Sequence, residues 1–158
     1  MINLDNLNMV LFDFDDTLYI HDHHYHGLQN TLELSILAGD QVYKDDRINT
    51  QMKEFVQMCD KADILLGLLS ATPYMVTANE KIRWANRVYG VTFENYCVGD
   101  AEHKVKMLEL LSTANHFKPE SIAIVDDLGS TLHAAEKHGF TALTPMEVVN
   151  YVNLKRFC

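Results

Sequence analysis

The stretch VLFDFDDTLY, residues 10–19, places Asp13, Asp15 and Asp16 within four positions directly after an apolar run. Ending a buried segment in like charges is unfavourable unless a positive group compensates them. Carboxylate oxygens with open coordination positions suit Mg²⁺, which binds through a few carboxylates together with a substrate phosphate. We therefore interpret Asp13 and Asp15 as functional residues and Asp16 as a solvated turn residue.

A calcium-binding loop is the obvious alternative for this acidic pattern. Such a loop needs a glycine at its sixth position and a glutamate at its twelfth. Counted from Asp13, these positions hold Leu18 and His24. The calcium-loop interpretation is therefore excluded.

Short apolar runs that resemble buried strands alternate with segments of helical periodicity along the whole chain. Uniformly apolar strands that alternate with helices predict a parallel sheet covered on both faces. We therefore predict a three-layer α/β/α, Rossmann-like, doubly wound sheet of about five strands. The length of 158 residues predicts a single domain over residues 1–158. The predicted strands cover residues 8–13, 63–70, 96–99, 121–127 and 140–143.

Several helices have recognisable starts. Apolar residues of segment 45–60 fall on one helical face. Thr77 and Glu80 form a capping-box pattern at the start of a predicted helix over 77–89. The stretch TPME at 144–147 combines a capping threonine, a proline at the first helical position and a glutamate, so it predicts the start of the last helix.

Residues 20–44 interrupt the regular alternation directly after the first predicted strand. They contain the tract HDHHYH at 21–26 and a possible extra helix over 28–38. We expect this insertion to form a flap or minimal cap over the site. The histidine tract leaves three interpretations open, namely a polar surface loop, a transition-metal site and a substrate contact.

Residues that carry chemistry follow different predicted strands. Asp13, Ser70 and the pair Asp126–Asp127 each stand at the carboxyl end of a strand, and Lys104 lies in the first turn of a helix after another. Parallel strands end at the same edge of a sheet, where ligands of such folds bind. The sequence therefore predicts that these residues meet at one edge.

Four stretches together resemble the motifs of haloacid dehalogenase-like (HAD) hydrolases in the order of that family. VLFDFDDTLY resembles the D-x-D-x-T motif, LLGLLSAT the strand that ends in Ser or Thr, HKVKMLELL the lysine-bearing helix and IAIVDDLGS the acidic fourth motif. The resemblance covers most of the chain, from residue 8 to 143, and is closest to small magnesium-dependent phosphatases of the superfamily.

The resemblance implies a role for each matched residue. Asp13 matches the nucleophile that forms an aspartyl-phosphate, and Asp15 matches the general acid and base. Ser70 matches a donor to a phosphate oxygen, and Lys104 matches the cation that offsets the phosphoryl charge. Asp126 matches the third protein ligand of Mg²⁺, beside the Asp13 carboxylate and the Asp15 backbone carbonyl.

Some assignments stay open at this point. Asp127 is an alternative to Asp126 as the direct metal ligand, or it binds the metal through water. Lys106 is an alternative to Lys104, although the helical period points the two side chains in different directions. Lys81 follows Ser70 along the chain and is interpreted as a solvated helix charge.

The predicted function is therefore Mg²⁺-dependent hydrolysis of a phosphomonoester. One alternative keeps the scaffold but changes the reaction, to phosphotransfer or to another HAD hydrolase reaction such as phosphonate or carbon–halogen cleavage. A second alternative is a non-catalytic phosphate-binding or signalling module. Receiver domains share the acidic cluster and the lysine, but here the second acidic pair follows Lys104, which is the wrong order for a receiver.

Composition limits the partners. The formal net charge of −9 disfavours long nucleic acid, and the longest apolar stretch, residues 64–69, is too short to span a bilayer. The three widely spaced cysteines and the absence of a signal-like N-terminus predict a reduced, cytoplasmic protein. The substrate is expected to be a small phosphorylated molecule or an accessible macromolecular phosphoester. An oligomer partner that covers the site is compatible with the sequence.

Overall fold

Short apolar segments form the strands of one five-stranded parallel sheet. The computed structural model describes residues 2–21 and 29–157. The strand order is β3-β2-β1-β4-β5, so the first strand lies at the centre of the sheet. The strands are β1 (Met9–Phe12), β2 (Leu65–Leu68), β3 (Glu94–Asn95), β4 (Ile122–Val125) and β5 (Thr141–Leu143).

Within the described residues, six α-helices accompany the sheet. Buried side chains of α2, α3 and α6 pack on one face, and those of α4 and α5 pack on the other. This arrangement confirms the predicted three-layer α/β/α class. Among the same residues, no helix has both the length and the apolar character required to cross a membrane. The helices are α1 (Gln29–Leu37), α2 (Thr50–Lys61), α3 (Met75–Tyr89), α4 (His103–Asn115), α5 (Gly129–Lys137) and α6 (Pro145–Arg156).

The central strand shows why both faces are covered. Val10 and Phe12 belong to the core beneath α2, α3 and α6, whereas Met9 and Leu11 belong to the core beneath α4 and α5. Because successive side chains of a strand point to opposite faces, a strand that is apolar throughout needs a helical layer on each side. All four residues of β1 are buried.

The strand order contains a switch point, where the chain changes the side of β1 on which it adds strands. From β1 the sheet grows through β2 to β3 on one side, and then through β4 to β5 on the other. Strand β1 pairs with β4 so that Phe12 lies beside Val125, and the backbone N–H of Asp13 donates to the Val125 carbonyl at 2.9 Å. Ligands of open α/β sheets bind at such a switch point, outside the carboxyl ends of the strands.

Two local predictions differ from the structure. The third strand is Glu94–Asn95 rather than 96–99. Segment 96–99 follows this strand and forms an isolated bridge between Val98 and Ala71, and the Tyr96 N–H donates to the Leu68 carbonyl at 2.9 Å. Helix α3 starts at Met75 with Tyr74 as its N-cap, so Thr77 is a buried helical residue and not a cap. Met75 and Val76 are already helical before the predicted cap, and the extended residue before the helix is Tyr74.

The insertion after β1 is described in part. Its helix is α1, which lies beside α3. His21 of the histidine tract is described, whereas residues 22–26 of the tract lie outside the described residues. The prediction of a flap over the site therefore stays a prediction.

Candidate active site

The turn after β1 is closed around the carbonyl of Phe14. This carbonyl accepts hydrogen bonds from the backbone N–H groups of Leu18 and Tyr19 at 3.1 and 2.9 Å. Asp16 takes a left-handed conformation with φ 55°, which an aspartate tolerates better than most residues. Tyr89 of α3 donates from its hydroxyl to the Leu18 carbonyl at 2.7 Å. The loop that carries the acidic cluster is therefore fixed to the core.

Asp13 lies at the end of β1 and is almost completely buried. Its Oδ1 accepts a hydrogen bond from Lys104 Nζ at 2.9 Å, and the same ammonium donates to Asp126 Oδ2 at 2.7 Å. Burial raises the pKa of Asp13 to about 7, although the nearby Lys104 opposes this shift. Burial alone would lower the pKa of Lys104, but Asp13 and Asp126 outweigh it and raise the pKa.

Three carboxylates form a group that is suited to one metal ion. One oxygen each of Asp13, Asp126 and Asp127 lies within 4.8 Å of the others. Asp126 is buried and uses its Oδ1 to accept the backbone N–H of Leu128 at 2.8 Å. Asp127 is more exposed, and partial desolvation of its carboxylate together with the charge of the neighbouring Asp126 raises its pKa. Oxygen donors of this kind fit Mg²⁺.

Ser70 and Lys81 form a second polar contact at the same edge. Ser70 follows the end of β2 and is fully buried. The ammonium of Lys81 donates to Ser70 Oγ at 3.0 Å and to Asp15 Oδ2 at 2.7 Å, and it lies 5.1 Å from the centre of the Phe14 ring. Lys81 is only 4% exposed, so its interpretation as a solvated helix charge is wrong.

Asp15 lies between two basic side chains. Its Oδ2 accepts from Lys81, and its Oδ1 is 2.7 Å from His21 Nε2. Burial works against ionisation of Asp15, but the hydrogen bond with His21 and the charge of Lys81 outweigh it and lower the pKa of Asp15 to about 2. The same hydrogen bond raises the pKa of His21. Asp15 therefore rests as a carboxylate.

Comparison of the whole structure with solved structures identifies the fold. The chain aligns with a cobalt-bound deoxy-D-mannose-octulosonate 8-phosphate phosphatase from Haemophilus influenzae at a TM-score of 0.56 and 18% identity, over 89% of this chain and 70% of that one. It also aligns with a HAD-family enzyme from Bacteroides thetaiotaomicron in complex with magnesium and inorganic phosphate, at a TM-score of 0.52 and 14% identity, over 87% and 93% of the two chains.

The chain has the haloacid dehalogenase-like fold. An uncharacterized protein from Corynebacterium glutamicum shares this fold with a TM-score of 0.57 and 14% identity, and the alignment covers 94% of each chain. No protein-family model and no curated protein sequence matches the chain. At these identities the likeness concerns the fold, so the chemistry of the site has to be argued from its own residues.

In this HAD-like fold, the predicted site residues form two groups, and a lysine connects the members of each group. Lys104 joins Asp13 to Asp126, whereas Lys81 joins Asp15 to Ser70. The carboxylate of Asp15 is not in the three-carboxylate group, so any contribution of Asp15 to a metal would come from its backbone carbonyl.

The two alternatives for the lysine and the metal ligand have different surroundings in the structure. Lys104 is buried against two carboxylates, while Lys106 is exposed. Asp126 is buried and bonded to Lys104, while Asp127 is exposed but close enough to share a metal ion. Both aspartates therefore stay candidate ligands, with Asp126 the more firmly held.

Sequence reasoning missed Lys81 and His21 as parts of this site. A signal for Lys81 existed, because it lies three residues after Ala78 and three before Trp84, on the buried face of α3. A lysine on the apolar side of an amphipathic helix needs a partner for its charge. For His21 the sequence offered only its place in a tract of histidines, which does not distinguish one ring from the next.

Proposed function

We propose that this chain is a magnesium-dependent phosphatase of the HAD type, which hydrolyses a phosphomonoester through a phosphorylated Asp13. The observation that carries the proposal is the position of Asp13. Its buried carboxylate lies at the switch point of the sheet, touches Lys104 and shares a possible metal site with Asp126 and Asp127. The fold of structurally similar phosphatases supports the same reaction class.

The charge balance of the site favours a divalent cation. The four carboxylates and two ammonium groups described above leave a formal charge of −2. A phosphate ester brings further negative charge, so without a cation these carboxylates would repel the substrate. Bound Mg²⁺ would neutralise the cluster, orient the phosphate and keep the nucleophile ionised. Asp13 and Asp126, with Asp127 or the Asp15 backbone carbonyl, would hold it.

The first step is transfer of the phosphoryl group to the protein. An oxygen of Asp13 attacks phosphorus, the bond between phosphorus and the ester oxygen breaks, and the leaving oxygen takes a proton from Asp15. Lys104 and the Ser70 hydroxyl offset charge on the transferred group. Because Asp15 rests as a carboxylate, it must first gain a proton. The negative charge of the bound phosphate favours this by raising the pKa of Asp15.

The second step restores the enzyme. Asp15, now a carboxylate, accepts a proton from water, and the water oxygen attacks phosphorus. The bond between phosphorus and Asp13 breaks, so inorganic phosphate leaves and the Asp13 carboxylate is regenerated. The same residue thus serves as acid and then as base.

The surface around the site favours a phosphate carried on an apolar or aromatic group. Three exposed apolar residues follow the strands β1, β2 and β4, namely Ile20 in a loop, Met75 as the first residue of α3 and Leu128 in a loop. Because loops after parallel strands share one edge, these side chains give that edge an apolar character. We therefore propose a small phosphorylated molecule as substrate. The three widely spaced cysteines favour a reducing cytoplasm as its location.

The test is phosphate release from 4-nitrophenyl phosphate, measured with Mg²⁺ and with a chelator. Wild-type protein should turn over only with the metal, and Asp13→Asn should lose that turnover. Asp16→Asn is the matched control, because Asp16 is an exposed aspartate of the same loop. Turnover that survives Asp13→Asn would exclude the proposed mechanism. Product analysis with an added alcohol distinguishes transfer to water from transfer to another acceptor.

A further inference from the structure

Lys81 is a buried cation for which the proposed reaction steps have no role. It lies on the inner face of α3 between Ala78 and Trp84, and its ammonium lies 5.1 Å from the centre of the Phe14 ring. Burying an ammonium is costly unless its donors are satisfied. Here it donates to two side chains of the site, Asp15 and Ser70, which come from different loops.

The contact with Ser70 fixes the direction of a hydroxyl proton. An ammonium only donates hydrogen bonds, so Ser70 Oγ must be the acceptor at 3.0 Å. The hydroxyl hydrogen of Ser70 is then directed away from Lys81 and is left to donate elsewhere. A phosphate oxygen that accepts this hydrogen bond would lie within about 6 Å of Lys81 Nζ. Lys81 therefore prepares Ser70 to act as a donor to phosphate.

The contact with Asp15 restrains a partly exposed side chain. The Asp15 side chain is 44% exposed, whereas that of Lys81 is 5% exposed and enclosed by the helix and the Phe14 ring. A charge-assisted bond of 2.7 Å from the enclosed Lys81 fixes one oxygen of the Asp15 carboxylate, while His21 contacts the other oxygen. An acid–base group works only when it is held in reach of the proton that it transfers.

We infer that Lys81 is a positioning residue of the proposed phosphatase, whose single ammonium orients both the Ser70 hydroxyl and the Asp15 carboxylate. This inference rests on the proposed function. It assigns Lys81 a task separate from that of Lys104, which contacts Asp13 and Asp126 instead. Lys104 thus contacts the proposed nucleophile, and Lys81 contacts the proposed acid–base group.

The inference predicts a dependence on the leaving group. Phenolate, the leaving group of phenyl phosphate, is a strong base that needs a proton from Asp15, whereas 4-nitrophenolate departs largely without one. Lys81→Met should lower kcat/KM for phenyl phosphate by about 10²-fold. The loss of kcat/KM for 4-nitrophenyl phosphate should be about tenfold or smaller. Arg83→Met is the matched control, because Arg83 is a cation of the same helix whose side chain is 69% exposed. It should change neither value.

Equal losses for the two substrates, or no loss, would overturn the inference, because a purely structural residue would not change selectivity for the leaving group. Circular dichroism and thermal melting establish whether Lys81→Met is folded. If it is not, Lys81→Gln serves for the same comparison, since it keeps a donor at this position without the charge. An active Asp13→Asn variant would instead refute the proposed function, so the two failures are distinguishable.

A double-mutant cycle tests the link to Ser70. If Lys81 acts through that hydroxyl, Lys81→Met in a Ser70→Ala background should lower kcat/KM for 4-nitrophenyl phosphate by no more than about threefold. A loss in that background as large as in the wild type would overturn this half of the inference.

Discussion

Replacing the buried Asp13 with asparagine should make the metal-free protein more stable, even though it removes the proposed nucleophile. Burial raises the pKa of Asp13 from 3.8 to about 7, against the attraction of Lys104. A carboxylate whose pKa is raised in the folded state destabilises that state, and the full effect is present at every pH above the raised pKa. The full shift corresponds to about 4 kcal/mol at 1.36 kcal/mol per pKa unit.

We expect about half of this value, roughly 2 kcal/mol, because an amide does not reproduce every contact of a protonated carboxyl group. For a chain of this size that gain corresponds to a rise of about 4–8 °C in Tm. The sign depends on pH. In wild-type protein the destabilisation is fully present above pH 7 and fades as the pH falls from 7 towards 3.8. It is lost only below that value, where Asp13 is protonated in both states.

The assay is urea unfolding of wild-type protein and Asp13→Asn in EDTA, at pH values from 4 to 8.5. The variant should be more stable at pH 8.5, and the difference should shrink as the pH falls from 7. Added Mg²⁺ should then stabilise wild-type protein more than the variant. Asp16→Asn, an exposed change in the same loop, should alter stability by less than about 0.5 kcal/mol. A variant that is less stable than wild type at pH 8.5 in EDTA would refute the reasoning.

Three further predictions follow from individual contacts. Raising Mg²⁺ from a limiting to a saturating concentration should move the acid limb of the pH–rate profile down by about 1–3 pH units, because a cation beside Asp13 favours its ionised form. An acid limb that stays at the same pH would contradict the shared metal site. Gly67→Ala should destabilise the fold by about 1–3 kcal/mol in thermal or urea unfolding, since a Cβ there would overlap the Leu11 side chain and lie 2.7 Å from the Tyr96 ring. Unchanged stability would contradict that packing. Tyr89→Phe should cost about 1–3 kcal/mol, because it leaves the buried Leu18 carbonyl without its 2.7 Å donor, and an equal Tm would show that this contact does not hold the loop.

The layers of the fold were predictable because the apolar pattern of the strands agrees with their burial in the structure. Strands that are apolar at every position require cover on both faces, and β1 and β4 are buried throughout. The start of α6 was also predictable, since Thr144 and Glu147 form the predicted capping box and Pro145 is the first helical residue. These features are set by neighbours close in sequence or by a strict period.

The third strand was not predictable in the same way. Strand β3 lies at the edge of the sheet, has only two residues, and both of them, Glu94 and Asn95, are exposed. An edge strand of this kind is defined by its backbone pairing with β2, which leaves no apolar pattern to detect. The apolar run that follows was therefore mistaken for the strand.

In the candidate site, too, some residues were predictable from the sequence and others were not. Parallel topology predicts that the residues after β1 and β4 share an edge, and Asp13 and Asp126 lie there on the same ammonium. The partners of Asp15 depend on the register of helix α3 and on the path of the chain after Tyr19, so Lys81 and His21 were not identified from the sequence. Contacts between side chains distant in sequence are decided by packing.

The central claim is that Asp13 receives the phosphoryl group beside one divalent cation. The most direct test is a crystal structure of the protein with Mg²⁺ and beryllium fluoride, which mimics a phosphorylated aspartate. The account predicts beryllium bonded to Asp13 and Mg²⁺ coordinated by Asp13 and Asp126, with Lys104 and the Ser70 hydroxyl in contact with the fluorides. Beryllium fluoride bound elsewhere, or Mg²⁺ away from these carboxylates, would contradict it.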